Sequence, residues 1–226
     1  MRAPISVIIP TLNAAETLPK CLGALVEGLD AGLIRELIVS DGGSTDATGA
    51  VAQAWGAEVL HGAASRGGQL RRGCTAAKGQ WLLVLHGDTV LSPGWAQGIT
   101  RHLNTDRAGW FQLCFDQGGL PGHVVAGWAN LRSRMGLPYG DQGLLLPHAL
   151  YDDVGGYPDQ SLMEDVALAR ALRGHLIGLP IKAVTSAAKY QEQGWLRRGG
   201  RNLWTLARYG FGASPEALAK SYRMPK

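Results

Sequence analysis

Several acids in this chain stand where apolar runs end, and their chemistry sets what the rest must position. Trp81 to Leu85 is five apolar residues without polar alternation, and His86, Gly87 and Asp88 follow at once. Such a run reads as a strand buried on both faces, as in a parallel sheet covered by helices. Ligands bind beyond the carboxyl ends of such strands, so Asp88 is placed to meet a substrate or a metal, with Gly87 allowing close backbone approach. An ordinary strand-exit turn before Ser92-Pro93-Gly94 accounts for the same residues. Leu33 to Ser40 likewise ends in Asp41, followed by Gly42-Gly43-Ser44-Thr45-Asp46. A carboxylate there can accept from a base N–H or a ribose hydroxyl, or it can close an Asx turn; the sheet-end rule favours the nucleoside contact. Arg66 precedes Gly67-Gly68 at a helix start, where a guanidinium and backbone N–H groups together suit phosphate. Gln69 reads either as a nucleotide contact or as an exposed helix residue, and Arg71 and Arg72 as a solvated helix face. Glu164 and Asp165 open a later helix, and on residue type alone they complement its N-terminus.

The elements that must carry these residues follow from the pattern. Ile5 to Ile9 is a β-branched run stopped by Pro10, leading into Thr11-Leu12-Asn13. Asn13 is expected to cap a helix with Glu16 in a capping box and Leu18, Cys21, Leu22, Leu25 and Leu29 on one face. The Leu33 strand, a helix capped by Ser44 or Thr45, a short strand at 57–61, a helix from Arg66 to Lys78 and the Trp81 strand complete a βαβ alternation. The first ninety residues are thus a Rossmann-like half. Its first turn, PTLNAAE, is not G-x-G-x-x-G, and no G-x-x-x-x-G-K-[ST] occurs, which argues against dinucleotide oxidoreductases and P-loop enzymes. Beyond Pro93 the alternation becomes irregular: an amphipathic segment 95–103, a strand 109–115, a helix 123–135, a loop 137–142 holding Asp141 and Gln142, a short strand 143–146, and the helix from Leu162.

Length and composition bound the rest. The 226 residues, 46% of them hydrophobic, suit one compact domain over 1–226, divided into a nucleotide-binding half 1–90, an acceptor-side half 91–188 and a basic aromatic tail 189–226. No apolar stretch approaches the roughly 20 residues of a membrane span and no leader is evident, so the expected place is the cytoplasm. Cys21, Cys74 and Cys114 show no metal or disulfide spacing and read as buried small hydrophobes. The formal charge is +4, yet eight Lys or Arg against two acids lie from Lys189 onward. Trp195, Trp204, Tyr209 and Phe211 interleave with Arg197, Arg198, Arg201 and Arg208 there, which suits peripheral contact with the inner face of a membrane or a helix whose arginines snorkel. Gly199-Gly200 favours packing on the core over a long membrane-lying helix.

Four stretches in order, SVIIPTLN, SDGGSTDAT, LHGDT and MEDVALARAL, resemble the family-2 inverting glycosyltransferases of GT-A fold. The combination of Arg66-Gly67-Gly68-Gln69, His86-Gly87-Asp88, Gly140-Asp141-Gln142-Gly143 and Leu162 to Asp165 is similar to the bacterial arsenosugar-biosynthesis glycosyltransferase subgroup. The resemblance implies an α/β GT-A fold, a mostly parallel sheet flanked by helices. It implies a nucleotide-diphosphate sugar donor, an acceptor hydroxyl the sequence does not identify, and no nucleic-acid partner. Pro10, Thr11, Asn13, Asp41, Arg66 and Gln69 are then the donor-side contacts, Asp141 and Gln142 are binding residues in a loop that could line the acceptor side, Asp165 is the base with Glu164 beside it, and Asp88 with His86 holds Mn²⁺ or Mg²⁺. Two departures stand out: Gly42 where a second acid is usual, and His86 where the metal motif begins with Asp, an imidazole suiting Mn²⁺ better than Mg²⁺. A nucleotidyltransferase shares this sheet and metal chemistry, and a degenerate binding module for anionic partners is the non-enzymatic alternative.

Overall fold

The computed structural model describes residues 2–223; the ends of the basic tail at 224–226 lie outside them. In chain order the strands are β1 (Ile5–Thr11), β2 (Ile34–Asp41), β3 (Glu58–His61), β4 (Trp81–Val84), β5 (Val90–Leu91), β6 (Ala108–Phe115), β7 (Leu144–Pro147) and β8 (Leu176–Thr185). They form one sheet in the order β3-β2-β1-β4-β7-β6-β8-β5. β1 to β4 run parallel, β7 enters antiparallel between β4 and β6, β6 and β8 are parallel, and β5 closes the far edge antiparallel to β8. β1, β2 and β4 match the apolar runs read from the sequence. β8 is an element the sequence pattern did not suggest.

The helices are α1 (Leu18–Asp30), α2 (Thr48–Ala54), α3 (Arg66–Ala76), α4 (Trp95–Thr100), α5 (Gly119–Arg134), α6 (His148–Asp153), α7 (Glu164–Ala171), α8 (Ala188–Gln193), α9 (Trp195–Gly210) and α10 (Pro215–Arg223). Alternating residues of the central strands feed two cores, one on each sheet face. Val7, Ile9, Val39 and Leu83 pack with Leu18, Cys21, Leu22 and Leu25 of α1 and with Trp95 and Ile99 of α4. Ile8, Ile38, Leu82 and Val84 pack with Leu70 and Cys74 of α3 and with Leu168 and Leu172 beside α7. Burial of strands on both faces is what a helix-covered parallel sheet requires, and it pushes the thiols of Cys21 and Cys74 up to about 12.

Local expectations fail in instructive places. α1 starts at Leu18 after Thr17, without a side-chain cap. Asn13 sits four residues earlier with φ 51°, because its side chain is engaged elsewhere. Neither Ser44 nor Thr45 caps α2; Asp46 accepts from the Thr48 N–H at 3.0 Å. The Gly199-Gly200 pair does not break the tail either, since α9 runs unbroken for 16 residues. Its ends are clamped: Trp195 packs on Gly118 and Gly122 of the α5 region, and Leu206 and Tyr209 join a small core with Met163, Val166 and Leu218. Only Thr205 of α9 is buried, so the helix lies on the surface rather than in the core.

Candidate active site

The exits of β1 and β2 are locked together. Asp41 is 1% exposed, and both of its oxygens are spoken for. Oδ1 accepts from the Thr11 hydroxyl at 2.9 Å and the Ser44 hydroxyl at 2.5 Å; Oδ2 accepts from the Gly43 and Ser44 N–H groups at 2.9 and 2.8 Å. Burial alone would raise its pKa, but the hydrogen bonds from Ser44, Thr11 and Gly43 outweigh it and hold the carboxyl below its ordinary value. The carboxylate is therefore the anchor of an Asx turn, where the sequence favoured a free nucleoside contact. Asn13 completes the clamp: its N–H donates to Ser44 Oγ at 2.8 Å, and its Oδ1 accepts from the Thr45 N–H at 2.9 Å. Pro10 is half-buried and Thr11 buried in the last turn of β1.

Gln69 belongs to the same lock rather than to an exposed helix face. It is 5% exposed, and its Nε2 donates to the carbonyls of Thr11 at 2.7 Å and Ser40 at 3.0 Å. A Cβ on Gly42 would lie 2.9 Å from Gln69 Oε1. The unusual glycine after Asp41 is thereby explained, because the Gln69 amide fills the space a side chain would need. Arg72, expected in solvent, donates from Nη2 to the Asp41 carbonyl at 2.9 Å and lies over Gly62; Arg71 is exposed as expected.

The glycine pair after Arg66 serves packing. Gly67 donates its N–H to the Gln160 carbonyl at 3.2 Å, and the Gly68 N–H goes to Ser65 Oγ at 3.3 Å. A Cβ on Gly67 would approach Pro158 O to 2.2 Å, so segment 158–160 seals the start of α3. The backbone N–H groups read from sequence as a phosphate cradle are committed inside the chain, which leaves the Arg66 guanidinium as the cationic group there. That side chain is about half exposed and lies 3.7 Å from Glu164 Oε1.

At the exit of β4 three distant segments meet. His86 and Asp88 leave the strand; a turn fixes them, with the Thr89 N–H donating to the His86 carbonyl at 3.0 Å and Cys21 Sγ donating to the same carbonyl at 3.5 Å. The 3-10 turn Gly140–Gln142 comes in beside them, and a Cβ on Gly140 would sit 2.6 Å from His86 Nε2 and 3.5 Å from Asp165 Oδ2. The start of α7 supplies the third part. Asp165 Oδ2 accepts from the Gly140 N–H and Oδ1 from the Val166 N–H, both at 2.8 Å. Asp165 is partly exposed, whereas its neighbour Glu164 is 2% exposed, so the two acids do point to different surroundings. Asp165 also lines a small pocket with Pro138, Tyr139, Gly143, Tyr157 and Ala169.

Electrostatics concentrate at this junction. Burial pushes the Asp141 carboxyl up to about 6, Asp165 and Asp88 adding to the rise while Arg132 and Arg66 oppose it. Its Oδ1 is buried and accepts no hydrogen bond. Glu164 is raised as well, first by burial and then by Asp165, against the pull of Arg66. Burial, with Arg66 and Lys189 nearby, lowers the His86 pKa well below the usual histidine range, so its imidazole is neutral at pH 7 and keeps a lone pair. Gln142, in contrast, is fully buried: it accepts from Ser133 Oγ at 2.6 Å and donates to the Phe111 carbonyl at 3.2 Å. It braces the loop from below, so the acceptor-side contact suggested for it is not where its side chain lies.

Two residues of this junction were not singled out from sequence. Arg132 of α5 is 7% exposed and lies over the Tyr139 ring, 3.3 Å from its centroid; Lys189 of α8 is close enough to act on His86. An arginine on the inner face of an otherwise apolar helix was the available signal for the first, and none marks the second. Among the described residues no three His, Cys, Asp or Glu side chains converge as a ready-made metal cage. The donor set instead fits a cation that brings its own ligands: an acidic group of Asp88, Asp141 and Asp165, a neutral imidazole, and two buried carboxylate oxygens without a hydrogen-bond partner, Asp141 Oδ1 and Glu164 Oε2.

Comparison with known proteins agrees with this architecture. Residues 6–139 match the profile of Glycosyl transferase family 2. A PGL/p-HBAD biosynthesis glycosyltransferase of Mycobacterium tuberculosis is 37% identical over 99 residues, covering 40% of this chain and 38% of that protein; the match thus spans under two-fifths of the relative's length. Among solved structures, the mannosyltransferase PcManGT from Pyrobaculum calidifontis, in complex with GDP-Man and Mn²⁺, superposes with a TM-score of 0.68 at 18% identity, covering 96% of this chain and 67% of that one. Glucosyl-3-phosphoglycerate synthase from Mycobacterium tuberculosis, in complex with Mn²⁺, UDP and glucosyl-3-phosphoglycerate, gives 0.60 at 23% identity over 92% and 80%. These likenesses establish the fold as GT-A, a single α/β domain with a mostly parallel sheet flanked by helices. With more than half its length inside the family profile, the chain belongs to glycosyl transferase family 2.

Proposed function

We propose that the protein is an inverting glycosyltransferase that moves a sugar from a nucleotide-diphosphate donor to an acceptor hydroxyl. The observation that carries this reading is the meeting of His86, Gly140 and Asp165 at the β4 exit. It brings the neutral His86 imidazole and the Asp165 carboxylate to either side of one glycine, beside Asp141, whose carboxyl stays raised although Arg132 and Arg66 pull it down. Asp88 and His86 would hold the divalent cation, with Asp141 as a further acid within electrostatic reach of Asp88. Such a cation, Mn²⁺ before Mg²⁺ given the imidazole, supplies Lewis-acid stabilisation of the leaving diphosphate. Arg66 would meet the same phosphates as a guanidinium, held in place by the buried Glu164. The locked β1 and β2 exits, with Pro10, Thr11, Asn13 and Asp41, would shape the nucleoside seat; Asp41 and Gln69 contribute rigidity there. Asp165 would take the acceptor proton as the new glycosidic bond forms opposite the leaving group. Its two backbone hydrogen bonds fix the carboxylate and leave a second acceptor position on each oxygen. The reading as a member of the arsenosugar-biosynthesis subgroup rests on the four sequence motifs alone.

The test is direct. Purified protein titrated with UDP, GDP and their sugars should bind at least one of them more tightly with Mn²⁺ than with EDTA. Asp165→Asn should keep that binding and lose at least 10²-fold in transfer, the scale of a lost general base. The product anomer read by NMR should be opposite to that of the donor. Binding to none of these nucleotides, or full activity in Asp165→Asn, would overturn the assignment.

A further inference from the structure

The surface helices α5 and α9 leave an apolar face that no other element covers among the described residues. On α5, Leu120, Val124, Trp128, Leu131 and Met135 recur at i, i+4, i+8, i+11 and i+15, and they are 47–78% exposed. On α9 and its C-cap, Leu196, Leu203, Trp204 and Phe211 follow the same helical spacing, with Leu196 at 91% and Phe211 at 93% exposure. The two helices lie against each other. Trp195 packs on Gly118 and Gly122 at the start of α5, and at the other end Leu206 and Tyr209 share a core with Leu137 and Tyr139, just beyond the end of α5. The stripes therefore belong to one continuous patch rather than to unrelated surfaces.

Charge selects what covers it. No Asp or Glu occurs from residue 117 to 140 or from 193 to 215, whereas Arg134, Arg197, Arg198, Arg201 and Arg208 all do; Arg132 points inward under Tyr139. Arg198 and Arg201 donate to Gln193 Oε1, Arg198 also lies over the Tyr190 ring, and Arg208 donates to Ser221 Oγ. In sequence these two stretches are flanked by Asp116, Glu192 and Glu216. A second copy of the chain would set these five arginines against the same five, which like-charge repulsion opposes. Anionic lipid headgroups neutralise them, while Trp, Leu and Phe side chains enter the acyl boundary.

We infer that α5 and α9 together form a docking face for an anionic phospholipid bilayer. The face is two helices wide, and α5 contributes as much of the apolar contact as the basic tail. It is independent of which donor or acceptor the site uses. Arg132 and Tyr139 lie on the inward side of the same pair, so the docked face backs directly onto the 137–142 loop of the candidate site.

Sedimentation of the full chain with vesicles tests this at 0.15 M NaCl. The wild type should partition onto phosphatidylcholine vesicles containing 30% phosphatidylglycerol at least tenfold more strongly than onto pure phosphatidylcholine. Trp128→Glu on α5 and Trp204→Glu on α9 should each reduce partitioning at least tenfold, with circular dichroism unchanged. Arg134→Gln combined with Arg208→Gln should weaken binding and flatten its salt dependence. Absence of binding to anionic vesicles overturns the inference. So does an effect confined to Trp204→Glu, which would leave the tail acting alone, or a dimer in sedimentation velocity that either glutamate variant dissolves.

Discussion

Replacing Asp141 by Asn should change how stability depends on pH. Burial raises the Asp141 carboxyl from 3.8 to about 6 in the folded protein, with Asp165 and Asp88 contributing. A raised carboxyl pKa means the folded state holds a proton that the unfolded chain has already released between those two values. Folding stability must then fall as pH climbs through that window. The cost is absent below about pH 4 and fully present above about pH 7. At about 1.4 kcal/mol per unit, a rise of about two units amounts to about 3 kcal/mol. Asparagine has the same shape and no titration, so the stability of the variant relative to wild type should grow by about 3 kcal/mol from pH 4 to pH 7.5. The extra N–H₂ adds a cost that does not vary with pH and cancels in the slope, as does the opposing titration of Asp41, present in both proteins. Urea unfolding followed by tryptophan fluorescence, in EDTA at half-unit steps of pH, gives both curves. Parallel curves would refute the reasoning, since a carboxyl that titrates near 4 in the fold is not raised by burial beside Asp165 and Asp88. The same cluster should release protons as a divalent cation binds near pH 6, measurable by calorimetry in buffers of different ionisation enthalpy.

Other expectations follow from the locks around the site. Gln69→Leu removes two donors from the Thr11 and Ser40 carbonyls and should cost about 2 kcal/mol, at about 1 kcal/mol per neutral hydrogen bond; a change below 0.5 kcal/mol by urea titration would show that the amide is dispensable. Gly67→Ala drives a methyl into Pro158 O, so overpacking of about 1–3 kcal/mol is expected. Because segment 158–160 leads directly into α7, the same variant should lower kcat more than it raises donor KM, and equal effects on both would argue against that coupling.

What could be read from the chain and what could not divides along physical lines. β1, β2 and β4 were legible because strands buried on both faces leave uninterrupted apolar runs, and the acids at their exits were legible because the parallel sheet gathers them at one end. β8 was not, because it is half exposed along its length and carries Gly178 and Pro180 near its irregular pairing with Trp110 and Gln112; a proline at a bulge looks like a strand breaker in sequence. The internal partners of Asp41, Gln69 and Gly67 were not legible for a common reason. Each side chain or gap is satisfied by a partner tens of residues away, and residue type alone does not separate a carboxylate that binds a ligand from one that binds its own loop. The 16-residue α9 crossed its glycine pair because anchors at both ends offset a propensity cost of about 1 kcal/mol per glycine.

The placement of β7 has a consequence for how the chain is made. β4 is buried on both faces and pairs on its outer edge only with β7, which follows it by about 60 residues. At a synthesis rate of about 5–20 residues per second, the nascent chain holds an unpaired apolar strand edge for several seconds before its neighbour leaves the ribosome. That edge is a template for pairing with other chains. Synonymous codon changes that slow translation between β4 and β7 should therefore show as aggregation during synthesis, while protein that has already folded keeps its stability.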